Sequence, residues 1–380
     1  MDDLNRTKHW PGLDGMRAFA VLAVVGDHLV IVHFDQGGYL GVDVFFVLSG
    51  FLITSLLLGE KSSTGRVSMR DFYVRRALRL LPALFAVILL AVIAVLTISN
   101  LSYARPDTLG DIPAVLLFVG NWLIVLSGQA GQTGHLGILA QTWSLSVEEQ
   151  FYLIWPLTLM IAMRRLSVTR VAGWLLFLMG FEWIVRLLLV ISGVNYSRTY
   201  YSTLLHSDGL LIGAALALLA SERRIPAKLA NSRRIPFVAI AIIVAMMLVG
   251  NGVEGIEWAI MTPITVVATA IVIMAVTSGT ATPLTRMLSV KPLLWIGKRS
   301  YGIYLWSATI LWVLQSTNWY VAHVYDGDAV AVIITFAAAA ASYSLIEHPA
   351  LKLKERRYSR TEALPQALED GRTYGLTPEL

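Results

Sequence analysis

Arg17 and His28 stand eleven residues apart in LDGMRAFAVLAVVGDHLVIVH, an apolar segment from Leu13 to His33. Read as one helix, those eleven steps span roughly 16 Å and return His28 to within about 20° of the face of Arg17. One stripe then carries a cation low down and an imidazole high up. Ionisable groups in such a segment are costly and therefore functional candidates, with polar helix packing as the alternative. Asp43, in GGYLGVDVFFVLSGFLIT, enters the next apolar run at a depth similar to His28. A carboxylate on one imidazole nitrogen fixes the tautomer and raises basicity at the other, as a base acting on a hydroxyl requires. The competing reading of Asp43 is a helix-start residue. Asp27 points about 100° away from His28 on a helix and is a less direct partner.

Other groups join this pair. Arg76 and Arg79 share a helix face in DFYVRRALRLLPAL, with Arg75 beside them. They suit either a membrane-edge anchor or the phosphates of a cytosolic cofactor, and Arg17 at the same depth favours the cofactor. QTWSLSVEEQFYLIWPL brings Glu148 and Glu149 among Trp143, Phe151, Tyr152 and Trp155 at the outer start of a helix. One carboxylate there complements the helix dipole. The other can orient a sugar ring or the imidazole, while the aromatic residues fit an interfacial belt equally well. Glu182 and Arg186 have salt-bridge spacing and read as mainly structural. His206 and Asp208 fall near the outer end of a later run, where Gly209 and Gly213 permit close helix contact. With no cysteine in the chain, a thiolate nucleophile and a cysteine zinc site are excluded, and no metal site is expected.

The elements that must position these groups are membrane helices. Of 380 residues 56% are hydrophobic and only 14% charged, against about 25% charged in soluble domains. Runs able to cross the roughly 30 Å hydrocarbon core fall near 14–33, 40–59, 80–98, 145–163, 171–191, 203–220, 236–251, 257–278, 300–317 and 329–349. Cations cluster at 61–79, 164–170, 223–234, 286–299 and 352–357, which the positive-inside rule makes cytoplasmic. The expected fold is an all-α polytopic integral membrane protein of about ten transmembrane helices, both termini cytoplasmic, with a partial or re-entrant element near 111–127. Residues 1–351 form the membrane-embedded domain, and 352–380 read as a polar, disordered cytoplasmic tail. The polar first twelve residues, with no small-residue cleavage site after the apolar run, do not read as a removable signal peptide.

LDGMRAFAVLAVVGDH, GGYLGVDVFFVLSGFLIT, FYVRRALRLLPA, TWSLSVEEQFYLIWPL, SYGIYLW and IEHP resemble the successive motifs of the membrane-bound acyltransferase-3 family. The resemblance covers most of residues 10–350. It implies transfer of an acyl group, often acetyl, to hydroxyls of cell-envelope saccharides or secondary metabolites in the bacterial inner or plasma membrane. Acyl-CoA, in the usual case acetyl-CoA, is the expected co-substrate, with no permanently bound cofactor and no nucleic-acid partner. The family's Arg-to-His pattern falls on Arg17 and His28, its paired arginines on Arg76 and Arg79, and its Trp-Ser-Leu and Glu pattern on Trp143, Ser144 and Glu148. The chain departs from it at Ser307 and His206, where members commonly carry His and Arg.

The expected site therefore has His28, Asp43 and Glu148 as catalytic groups and Arg17, Arg76 and Arg79 holding acyl-CoA. Trp143, Glu149, Tyr152, His206 and Asp208 hold the acceptor. The stripe through Ala20 and Val24 is the expected path of the acyl carrier. The rival reading is a proton-coupled transporter of an anionic substrate, with Asp43, His28 and Glu148 as its relay.

Overall fold

A computed structural model describes residues 10–29, 37–98, 108–128, 130–131, 135–225, 232–250, 255–278, 282–350 and 352. The first half comprises α1 (Pro11–Asp27), α2 (Leu40–Thr64), α3 (Met69–Thr97), α4 (Thr108–Leu116), α5 (Gly120–Ser127), α6 (Thr142–Arg165), α7 (Val168–Ile191) and α8 (Tyr196–Tyr200). It continues with α9 (Asp208–Ser221), α10 (Ile235–Val249), α11 (Ile256–Thr277), α12 (Pro283–Leu288), α13 (Lys291–Lys298), α14 (Ser300–Gln315), α15 (Asn318–Ala322) and α16 (Val324–Ser342). A single π-helical turn, Tyr343–Glu347, prolongs α16. The two-residue parallel ladder of Ala130–Gly131 with His135–Leu136 is the sole strand pairing among the described residues.

Each of the ten predicted runs coincides with a helix of at least 14 residues. Among the described residues five helices are long and apolar enough to cross a membrane: α2, α3, α7, α11 and Val324–Ala350. Local chemistry sets several boundaries. The Ser68 and Ser167 hydroxyls accept the Asp71 and Arg170 amides and so start α3 and α7, and Gly65, at φ 74°, ends α2 in the left-handed conformation.

Burial is inverted relative to a water-soluble bundle. The buried residues of α7 are Val171, Ala172, Leu175, Met179, Glu182 and Arg186, a single stripe, and its outward face carries exposed Trp174, Phe177, Phe181, Ile184 and Leu188. Charge inside and large apolar groups outside suit lipid as the surrounding solvent. This is a helical, multi-pass membrane protein. Small residues seat α2 on α9: a Cβ on Gly50 would strike the Leu210 carbonyl, and one on Gly213 the Val47 carbonyl. The expected close contact through Gly209 and Gly213 is present.

The segment expected to be partial or re-entrant is broken in two. α4 and α5 have nine and eight residues, or roughly 14 and 12 Å, each far short of a crossing. Phe118, at φ 54°, makes the break between them. The chain then runs through a 3-10 turn, Gly137–Leu139, whose residues are all buried.

The first helix is shorter than expected. It ends at Asp27, and His28 occupies its C-cap rather than a continuing turn. The His28 amide bonds back to Val25 O at 3.3 Å, which leaves the Val24 carbonyl to the His28 side chain. Residues 30–33 of the predicted run lie outside the described residues, as does the predicted tail except Lys352.

Candidate active site

α1, α2, α3, α6 and α14 enclose a cavity of about 200 Å³ lined by Arg17, Arg75, Arg76, Arg79, Ser49, Glu148, Tyr152 and Tyr304, among others. Arg75, Arg76 and Arg79 share this wall because they lie within the first turns of α3, where Phe72 also lines the cavity. Each guanidinium but one has an acidic partner. Arg17 meets Asp14 at 3.6 Å, and Arg75 meets Glu60 at 2.8 Å. Arg76 donates through Nε to Glu149 at 3.0 Å, approaches Glu148 at 3.8 Å and lies 3.7 Å above the Tyr152 ring. Arg79 is exposed into the cavity and has no acidic or hydrogen-bond partner among the described residues. Glu148 accepts the Ser49 hydroxyl at 2.7 Å.

Glu148 and Glu149 thus sit with the cations, not with His28. The reason is the depth at which α6 begins. It follows the buried turn at Gly137–Leu139, and Gln141 donates to Leu305 O and Thr309 Oγ1 of α14. Its first turns are therefore already inside the bundle.

His28 stands at the other end of α1. Its Nδ1 lies 2.7 Å from Val24 O. A carbonyl only accepts, so Nδ1 carries the proton in that bond and the Nε2 lone pair is the basic position. The Trp312 ring meets the imidazole edge-on at 5.9 Å. Beside the imidazole is a small cavity of about 10 Å³ lined by Val25, Leu29, Ser307, Leu311, Ala331, Val332 and Thr335. The two cavities occupy successive levels of the same helix pair. On α1, Arg17 lines the first and His28 the second; on α14, Ser300 and Tyr304 line the first and Ser307 and Leu311 the second. Along α1 the two levels are roughly 16 Å apart. The rings of Phe45 and Tyr304, which both line the first cavity, meet at 6.4 Å.

The expected pairing of Asp43 with His28 does not form. Asp43 Oδ1 is 2.9 Å from His206 Nε2, and both side chains are fully buried. His206 Nδ1 bonds Tyr200 O at 2.7 Å. With both ring nitrogens facing acceptors, a second proton must sit between His206 and Asp43. Trp143 stacks on His206 at 5.4 Å and packs against Tyr200 and Tyr201 at about 5 Å. Burial foremost, with the Asp43 charge adding, raises the Tyr200 hydroxyl well above the usual tyrosine range and keeps it neutral. Asp208, also fully buried, pairs with Arg186 at 3.0 Å and accepts the Trp183 indole N–H at 2.7 Å. Glu182 accepts the Ser207 amide, the Ser207 hydroxyl and the Asp208 amide instead of Arg186.

Of the residues expected to hold the acceptor, Tyr152 lines the large cavity and Glu149 braces Arg76, whereas Trp143, His206 and Asp208 form a closed interior layer. The stripe through Ala20 and Val24 is filled by packing against Gly41 of α2. Sequence reading missed Ser49 and the cavity role of Tyr301 and Tyr304; the three-residue spacing of the two tyrosines in SYGIYLW was the available signal. Tyr301 donates to Leu80 O at 2.9 Å and Tyr304 to Gln141 O at 2.8 Å, and the Ser144 and Tyr304 hydroxyls meet at 2.6 Å.

The fold and site together are those of a polytopic helical membrane protein with an arginine-lined cavity and an imidazole beside a second, smaller one. Residues 10–347 match the acyltransferase domain family, and the chain belongs to that family. It is similar to the putative peptidoglycan O-acetyltransferase YrhL of Bacillus subtilis, 35% identical over 370 residues that cover 94% of this chain and 57% of that protein. Peptidoglycan O-acetyltransferase OatA of Listeria monocytogenes is 34% identical over 91% of this chain and 56% of its own length. O-acetyltransferase OatA of Staphylococcus aureus is 31% identical over 93% and 59% respectively. The chain therefore spans somewhat more than half the length of these curated relatives. No solved structure matches.

Proposed function

We propose that this chain is a membrane O-acetyltransferase that takes an acyl group from cytosolic acyl-CoA, acetyl-CoA above all, and delivers it to a saccharide hydroxyl on the other side. The observation that carries this reading is Arg79. A guanidinium with no acidic partner among the described residues, lining a cavity with Arg17 and Arg76, suits phosphate oxygens. From there roughly 16 Å of helix leads to His28, a length comparable to a pantetheine arm. Peptidoglycan, named for two relatives, is the acceptor class the comparisons favour.

In this mechanism Arg17, Arg76 and Arg79 hold the donor phosphates, with Glu148 and Glu149 bracing Arg76. The Val24 carbonyl keeps the Nδ1 proton of His28, so Nε2 accepts the proton of the acceptor hydroxyl. The alkoxide oxygen bonds to the thioester carbon, the carbon–sulfur bond breaks, and the thiolate leaves with the electron pair and recovers the proton from His28. Asp43 acts at a distance, by fixing His206 and the start of α9. The helices at the ten predicted apolar runs, the five long ones among them, cross the membrane with the cation-rich connections and both termini in the cytoplasm, and residues 1–351 act as a single membrane domain.

The test is acetyl-CoA binding and acetyl transfer by the full chain in lipid nanodiscs. Binding lost in Arg79→Ala and transfer lost in His28→Ala, with binding kept, are the expected results. Unchanged acetyl-CoA affinity after joint substitution of Arg17, Arg76 and Arg79 by Ala would end the donor reading.

A further inference from the structure

The small cavity beside His28 differs in kind from the arginine-lined one. Beside His28, Ser307 and Thr335 its lining is apolar: Val25 of α1, Leu29, Leu311 of α14, and Ala331 and Val332 of α16. Its volume of about 10 Å³ is the space that a single water-sized sphere occupies, so it accepts one methyl-sized group and no chain. Its walls are firmly backed. Leu311 and Ala331 are each 2% exposed and belong to one apolar cluster with Val21, Ile303 and Ala339. Near the start of α16, the Tyr320 hydroxyl bonds the buried Asp328 carboxylate at 2.5 Å, which ties α15 to α16.

A thioester carbonyl presented to His28 must place its alkyl end against the surface next to the imidazole, and the small cavity supplies that surface. We infer that the chamber formed by Val25, Leu311, Ala331 and Val332 receives the alkyl end of the acyl group, and that Leu311 and Val332 limit that group to two carbons. The inference rests on the reading of His28 as the reacting centre and adds to it the residues that set acyl length. It makes a sign prediction. In a roomy apolar site each added methylene strengthens binding by about fourfold; in a chamber of this size each one weakens it, because packed walls yield little.

The experiment measures affinities of coenzyme A, acetyl-CoA, propionyl-CoA and butyryl-CoA for the full chain in nanodiscs, by calorimetry, so that no acceptor is needed. In the wild type, affinity should fall at least tenfold from acetyl- to butyryl-CoA. In Val332→Ala, on a half-buried position with little cost to folding, and in Leu311→Ala, the order should level or reverse while coenzyme A affinity stays within twofold. Ala331→Val, which fills the chamber, should weaken acetyl-CoA without changing coenzyme A. Equal wild-type affinity for the three acyl-CoAs, or a chain-length ratio unmoved by both enlarging variants, would overturn the inference. Failure of the donor reading looks different: coenzyme A itself would then bind the wild type no better than Arg79→Ala.

Discussion

The layer at the start of α9 and the cavity between α1, α3 and α6 both place guanidinium groups inside an apolar bundle, and they do so in opposite ways. Arg186 is fully buried, pairs with Asp208, donates to Leu205 O and lies 4.7 Å from the Trp258 ring. Asp43, Glu182 and Asp208 around it outnumber its charge, and His206 and backbone amides supply the remaining donors. Around Arg79 the balance is reversed: cations outnumber the carboxylates that face the cavity, and Arg79 is left over. A buried cation whose partners are all internal holds helices together. A cation left over at a cavity wall has its partner supplied from outside.

That contrast is broken most directly at His28. In the proposed mechanism Nε2 of His28 is the proton acceptor, so His28→Ala should lower acetyl transfer by about 10²- to 10⁴-fold while acetyl-CoA affinity and thermal unfolding stay close to wild type. Retained transfer would leave the open cavity without chemistry at its far end.

On the closed side the expected loss is in folding. Arg186→Met keeps the bulk of the side chain but strands Asp208, and breaking such a pair costs about 3–5 kcal/mol. Fluorescence-detected size exclusion after graded heating should show a markedly lower unfolding temperature. Acetyl-CoA affinity of the surviving folded protein should be unchanged. Arg79→Ala should show the converse. Losing a charge-assisted bond of about 1.5–3 kcal/mol predicts a ten- to hundredfold rise in KM for acetyl-CoA with no change in unfolding, and Arg79→Lys should recover part of it. If Arg79→Ala unfolded the protein as readily as Arg186→Met, the two regions would not be different in kind.

How much of this was legible in the sequence divides along the same line. Apolar runs located the long helices because lipid-facing surfaces must be apolar whatever they pack against, and the spacing of Arg76 and Arg79 gave their shared face. Depth was not legible for Glu148. It depends on where α6 starts, and α6 starts inside the bundle because a buried 3-10 turn precedes it. The partners of Asp43 and Arg186 were equally hidden. Asp43 and His206 are 163 residues apart, and no periodicity relates them. The i, i+4 spacing of Glu182 and Arg186 pointed to each other, whereas helix packing gave each to the α9 start. The end of α1 at Asp27 was missed because the segment stays apolar beyond it.

The smallest expected effect tests whether the open cavity is tuned as well as charged. Ser49 donates to Glu148 Oε1 at 2.7 Å, and Glu148 stands 3.8 Å from Arg76, whose Nε is already bonded to Glu149. The hydroxyl thus draws Glu148 away from full contact with Arg76. Ser49→Ala releases the carboxylate toward the guanidinium, which leaves Arg76 less charge for an incoming phosphate. At about 0.5–1.5 kcal/mol for one neutral donor, acetyl-CoA affinity should fall about two- to tenfold, with turnover of bound donor unchanged. Pairing the variant with Glu148→Gln separates this from a packing defect. If Ser49 acts through the carboxylate, the double variant should bind acetyl-CoA no more weakly than Glu148→Gln alone; if the two losses add, Ser49 acts on its own.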